Sequence, residues 1–201
     1  SGWSETGSWH VGILSEDEWK GKWIGAPWQG NDSYDIMNPE WTDEWDFQYT
    51  IENPEFNADP APLIRKAFSV DKPVKEARFY GTGLGYFELH ANGNRIGDEY
   101  FAPNQTNYDV RPNLVNTERG ITDPFEEYLV MYLTYDLTDI VSEGENVFGV
   151  ILGNGFYDVL KHWSPMGYGS PRFMGQIEIT YKDGTTEIIA SDETWKIGKS
   201  A

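Results

Sequence analysis

The sequence predicts an all-β fold, a jelly-roll-like antiparallel β-sandwich that carries a long Trp-rich N-terminal segment. Three observations predict it. From residue 61 onward, short apolar–polar alternations are separated by Gly, Pro and Asn-Gly turn signals. Helical periodicity is almost absent, and many short strands joined by such turns build sandwiches or barrels. Aromatic residues make up 15% of the chain, with 9 Trp, 12 Tyr and 10 Phe beside 21 Gly, a composition that suits a β core.

The elements follow in order. Ser15 is placed as the N-cap of a short helical turn, with Glu18 completing a capping box. Residues 29–62 read as one long loop, punctuated by Asn38-Pro39, Asn53-Pro54 and Asp59-Pro60. A loop of that length is either functional or wrapped on a surface, and Trp41, Trp45 and Phe47 supply apolar anchors. Leu63 to Val70 alternates as a strand. Val74 to Tyr80 is the next, with Val74, Ala77 and Phe79 inward. Gly85 to Ala91 meets Asn92-Gly93, a strong two-residue hairpin signal, and Asn94 to Asp98 returns. Tyr128 to Tyr135 reads as a long strand, and Asp136 to Val141 as a turn or short helix. Val147 to Leu152 is an apolar run that suits a central strand buried on both faces. Phe173 to Tyr181 and Thr185 to Ala190 flank the turn Lys182-Asp183-Gly184 as a second hairpin.

Charge and composition exclude several function classes. The net charge is −18, so a nucleic acid or an anionic membrane surface is not an expected partner. Eleven of those negative units, and seven of the nine Trp, lie in residues 1–60. With no Cys, a disulfide scaffold, a zinc-thiolate site and a cysteine nucleophile are ruled out. No apolar run reaches the length of a membrane span. Ser1-Gly2-Trp3 lacks an initiator Met and Trp195 to Ala201 lacks a closing cap, so the chain reads as a cut piece.

Catalytic chemistry finds no support in the motifs. His10, His90 and His162 are far apart and show no metal-ligand spacing; His90 reads as a strand pairing residue. Asp32/Asp35 and Asp43/Glu44/Asp46 read as solvated loop charges, so no metal or cofactor is expected. Gly81-Thr82-Gly83-Leu84-Gly85 leads into a strand rather than a helix, so it does not serve as a dinucleotide loop. With 33 acids, a carboxylate pair at glycosidase distance carries no information. The loops that combine amides with aromatic rings are the best candidates. Amides hydrogen-bond sugar hydroxyls, and flat rings stack on sugar C–H faces. The candidate carbohydrate contacts are Asn104, Tyr108, Asn154, Phe156, Tyr157 and Trp163. The competing reading is structural turns with packed aromatics, and ring exposure separates the two.

Several motifs also carry a family resemblance. They are Asp17-Glu18-Trp19-Lys20-Gly21-Lys22-Trp23-Ile24-Gly25-Ala26-Pro27, Pro62 to Phe68, Ala77 to Leu89, and Asn92-Gly93 with Arg95-Ile96-Gly97-Asp98. Tyr135 to Asp139, Gly144-Glu145-Asn146 and Leu152-Gly153-Asn154-Gly155-Phe156-Tyr157 complete the set. In this order they resemble the N-terminal, non-catalytic region of bacterial α-L-rhamnosidases over nearly the whole chain. Phe156 stands where Trp is commoner, and residues 112–127 are longer than the usual connection. The resemblance implies a jelly-roll sandwich standing before an (α/α)6 catalytic barrel, whose carboxylates perform an inverting hydrolysis. Residues 1–15 are then the tail of a preceding fibronectin-like β domain. Residues 16–62 are a linker and long acidic loop wrapping the sandwich, and residues 63–201 are the sandwich itself. The expected partners are the barrel and other domains of the same parent chain, together with rhamnose-containing glycans. The implied location is periplasmic or extracellular, and this chain alone is expected to be non-catalytic. Related calcium-dependent rhamnose-binding modules place Asp-Asn before the strand that ends in Asn-Gly; here Leu84-Gly85 stands there instead, without the carboxylate and amide. An independent carbohydrate-binding module and a purely structural spacer remain as other readings.

Overall fold

A computed structural model describes residues 10–27, 60–106, 108, 129–157 and 168–200. Among these residues a 3-10 turn, Glu16–Glu18, precedes nine strands: β1 (Pro62–Val70), β2 (Val74–Leu84), β3 (Tyr86–Ala91), β4 (Asn94–Ile96), β5 (Leu133–Asp136), β6 (Gly144–Gly153), β7 (Arg172–Tyr181), β8 (Thr186–Ala190) and β9 (Lys196–Lys199). They form two antiparallel sheets packed as a sandwich. One has the order β4-β3-β6-β1-β9 and the other β5-β2-β7-β8.

Alternation places one face of each strand in the shared core. Ile64, Phe68 and Val70 of β1, Leu89 of β3 and Phe148, Val150 and Leu152 of β6 face Phe79, Phe173, Ile177 and Ile179 of the other sheet. Val74, Ala77 and Phe79 all point inward although their spacing is not strictly even. A bulge between Val74 and Glu76 shifts the register and restores the phase. Gly81 and Gly175 are paired across β2 and β7. A Cβ on Gly81 would lie 2.2 Å from the Phe79 ring, and one on Gly175 2.6 Å from the Phe173 ring. The two rings therefore lie over bare backbone and stack with centroids 6.4 Å apart. The glycine-rich run is a strand, and its glycines make room for the core.

The Asn92-Gly93 hairpin forms as expected, with both residues at positive φ (49° and 84°). The capping box also forms: Glu18 Oε2 accepts the Ser15 backbone N–H at 3.0 Å. Two expectations are corrected. The strand expected over Tyr128 to Tyr135 is confined to Leu133–Asp136, because at Met131 the carbonyl is taken by the Thr82 hydroxyl (2.7 Å) and pairing ends at Gly81–Leu133; residue 128 lies outside the described residues. β6 is central but buried on one face only, leaving Val147 and Ile151 at 39% and 40% exposure.

The N-terminal stretch is bound to the second sheet. β8 pairs with β7 only from Gln176 onward. Over the preceding residues Ile24 exchanges both backbone hydrogen bonds with Phe173 (2.8 Å each), and Lys22 N–H donates to Ser191 O at 2.7 Å. Gln176 is fully buried; its Oε1 accepts Lys20 N–H at 2.7 Å and its Nε2 donates to Glu18 O at 3.3 Å. The backbones approach so closely that a Cβ on Gly21 would lie 2.9 Å from Gly175 O.

Candidate functional site

The amide- and aromatic-bearing loops converge at one end of the sandwich. Gly85, at the β2–β3 corner, has φ +102°, and a Cβ there would lie 2.2 Å from Gly153 O. Only glycine allows the corner to touch the end of β6, and this contact brings Asn154 and Gly155 beside Tyr86. A Cβ on Gly155 would lie 3.0 Å from the Tyr86 ring. The segment after β4 is tied to the same corner, because Phe87 N–H donates to Ala102 O at 2.9 Å. Phe101 thereby packs edge-on against Tyr86, with centroids 5.7 Å apart.

Three tyrosines form the centre of the cluster. Tyr157 and Tyr168 stack at 5.6 Å with their planes 19° apart. Tyr108 stands edge-on to both, at 5.3 Å and 5.2 Å. Two backbone bonds fix the pair, Tyr168 N–H and Gly169 N–H to Tyr157 O at 2.8 Å and 3.3 Å. All three rings are half-buried. Burial raises the Tyr108 hydroxyl above its ordinary value, so it is a neutral donor and acceptor at pH 7. Phe156 is 60% exposed and Asn104 is exposed, whereas Asn154 is half-buried.

The structure thus brings Tyr108 and Tyr157 into one ring cluster, with Asn154 adjoining it through the Gly85 corner. Phe156 projects to solvent, and Trp163 lies outside the described residues. Sequence reading missed Tyr86, Phe101 and Tyr168 as members. Phe101 carried no sequence signal. Tyr86 follows the corner glycine, and Tyr168 precedes Gly169, which has φ +138°. The cluster offers flat rings, phenolic hydroxyls and amides, which is the chemistry of polar-ligand contact rather than of nucleophilic attack.

Among the described residues, a paired set of charged groups lies away from this cluster. On the outer face of the five-stranded sheet, Glu88 Oε2 accepts from Arg95 Nε at 2.7 Å, and Glu88 Oε1 lies 2.6 Å from His90 Nε2. The Arg95 hydrogen bond, then that of His90, holds the Glu88 carboxyl below its ordinary range. His90 is a strand pairing residue, opposite Arg95 and Gly149. Among the described residues no group of three or more His, Cys, Asp or Glu is placed to hold a metal ion.

Comparison with known proteins gives a consistent family. Residues 72–127 and 118–201 match the alpha-L-rhamnosidase N-terminal domain family. An alpha-L-rhamnosidase of Formosa agariphila is 32% identical over 209 residues, spanning 98% of this chain and 19% of that protein. The structure of alpha-L-rhamnosidase from Dictyoglumus thermophilum is 34% identical, with a TM-score of 0.65 over 94% of this chain and 18% of that one. The Streptomyces avermitilis alpha-L-rhamnosidase complexed with L-rhamnose has a TM-score of 0.57 at 34% identity, covering 71% of this chain and 12% of that one. The chain therefore spans about a fifth or less of the length of these relatives.

Proposed function

The chain belongs to the alpha-L-rhamnosidase N-terminal domain family, and from that premise we propose that it is an accessory, non-catalytic β-sandwich of an α-L-rhamnosidase. Its role is to brace the (α/α)6 barrel of the parent chain and border the substrate cleft, with the parent enzyme acting in the periplasm or outside the cell. The observation that carries this reading is the share of length: 98% of the chain aligns to only 19% of the Formosa agariphila relative. Among the described strands, six of the eight successive connections switch sheets, which supports a jelly-roll-like description. Assaying the 201-residue chain on an aryl α-L-rhamnoside tests the reading. No turnover is expected, and activity that survives repurification would overturn it.

A second reading is favoured by one specific observation, the exposed Phe156 beside the tyrosine cluster. In it the loops contact rhamnose-containing glycans through Asn104, Tyr108, Asn154, Phe156, Tyr157 and Trp163. Titration calorimetry with rhamno-oligosaccharides, on the parent sequence and on Phe156→Ala, tests this. Heat that disappears in the variant supports glycan contact; heat unchanged by the substitution removes Phe156 from the site.

A further inference from the structure

The two sheets differ in what lies on their outer faces. Tyr80 and Gln176 oppose each other across β2 and β7 and point away from the shared core, yet both are buried. The N-terminal stretch covers them. Gln176 bonds to Lys20 and Glu18, and Trp19 packs edge-on against Tyr132. Tyr132 leans on Tyr80, and its hydroxyl donates to Ile13 O at 3.0 Å. Among the described residues the five-stranded sheet has no such cover. Its outer face holds an open groove of about 570 Å³, where Leu63, Val147 and Ile151 are each about 40% exposed. Gly149 and Gly198 leave the floor bare: a Cβ on Gly198 would have no atom within 4 Å.

Two cations border this apolar strip. Directly opposed residues of antiparallel strands share a face, so Arg65 of β1 and Lys196 of β9 stand side by side on it. Both are exposed, and neither forms an ion pair among the described residues. Glu88, on the same face, is taken by Arg95 and His90. Like charges placed opposite each other destabilise a sheet, and local rules are broken mainly where something else is gained. Two unpaired cations beside exposed aliphatic side chains are complementary to a surface that sets carboxylates among apolar groups. The groove walls are aliphatic, so they do not provide the flat ring that stacks on a sugar.

We propose that this face is the interface with another domain of the parent α-L-rhamnosidase. That domain presents carboxylates to Arg65 and Lys196 and apolar side chains to Leu63, Val147 and Ile151. The proposal rests on the accessory-domain reading above and assigns that reading a surface. Size favours a tethered domain over a second copy of the chain. Strands about 4.8 Å apart, rising about 3.3 Å per residue, make the groove face roughly 20 Å by 20 Å, or about 400 Å². That is about half of the ~800 Å² per partner buried in a standard interface between separate chains. A domain of the same polypeptide meets the face at high effective concentration, so a smaller patch suffices. The relatives have room for such a domain, because this chain aligns to only 19% of the Formosa agariphila protein.

The 201 residues contain no Cys, which provides the assay. A thiol is introduced in the groove as Gly149→Cys, with Gly198→Cys as a second site. Each is placed both in the 201-residue chain and in the parent enzyme, and labelling is read by mass spectrometry at the peptide that carries it. The same thiol is expected to label about tenfold more slowly in the parent enzyme, as for sites shielded by local structure. R65E/K196E should restore fast labelling in the parent enzyme and leave the rate in the 201-residue chain unchanged. Equal, fast labelling of both thiols in the two proteins overturns the proposal. Slow labelling in both also overturns it: if the protection is lost on dilution the cover is a second copy, and otherwise it is the chain itself. Protection in the parent enzyme that survives R65E/K196E overturns it too, because the cations then do not hold the partner. Turnover by the 201-residue chain, which would sink the accessory reading itself, is a separate readout that these labelling rates do not affect.

Discussion

Replacing Asn146 by Ala isolates the polar network that joins the two turns at one end of the first sheet. Asn146 is fully buried. Its Nδ2 donates to Ser142 O and Gly144 O at 2.7 Å and 3.0 Å, and its Oδ1 accepts from Ser142 N–H at 3.2 Å and Asn92 Nδ2 at 3.0 Å. Asn92 extends the network, its Oδ1 accepting Val147 N–H at 2.9 Å and its Nδ2 donating to Ile140 O at 3.0 Å. Four bonds at about 1 kcal/mol net each give a loss of about 4 kcal/mol, raised further where a buried partner stays unpaired. For a chain of this size that is a fall of roughly 8–16 °C in Tm. Urea unfolding followed by tryptophan fluorescence measures it, with an unchanged m-value showing that the same surface is exposed. Asn92→Ala and the double variant complete a cycle, in which the shared bond should appear as a coupling of about 0.5–3 kcal/mol. A loss below about 1 kcal/mol for Asn146→Ala, or strict additivity of the two changes, would refute the reasoning.

Three further outcomes follow from the geometry. Gly85→Ala combines positive φ with a clash against Gly153 O and should cost about 3 kcal/mol or more; a Tm within 2–4 °C of the parent, about 1 kcal/mol, would show that the corner can open. Gln176→Ala removes the bonds to Glu18 and Lys20, so the Lys20 amide should exchange with solvent faster while β2 amides stay protected; unchanged Lys20 exchange would deny Gln176 its role. Arg95→Ala should move the Glu88 titration up toward its ordinary 4.5, as read by carboxyl NMR. Because folding lowers that carboxyl, its contribution in the parent is present above pH 4.5 and fades as pH falls through the depressed value; a Glu88 titration unmoved by the substitution would assign the shift elsewhere.

Features fixed by local chemistry were legible in the sequence. Asn92-Gly93 could be read as a hairpin because both turn residues must adopt positive φ. Ser15 and Glu18 could be read as a cap because their spacing closes a reciprocal bond. The alternating strands were legible for similar reasons. What depends on distant partners was not. Val147 to Leu152 carries the apolar run of a strand buried on both faces, yet nothing in that run says that the outer face is left open. The strand ending at Tyr135 is cut short by a hydroxyl almost fifty residues upstream. Tyr86 meets the Asn154–Gly155 turn because Gly85 lets two backbones touch, Tyr157 meets Tyr168 through backbone bonds to the Tyr157 carbonyl, and no periodicity encodes those contacts.

The bonds from Lys20, Lys22 and Ile24 to the second sheet bear on how this region can change over evolutionary time. They make the stretch before Pro27 part of the folded body, although it is separated from β1 by more than thirty residues. Residues 28–59 are topologically an insertion between two anchored ends. The entropy of closing such an insertion grows only with the logarithm of its length, so this stretch can lengthen, shorten or diverge while the sandwich keeps its register. A truncation that starts at β1 would leave the backbone of Phe173 with an unpaired N–H and C=O along an open sheet edge, a site for pairing with other chains.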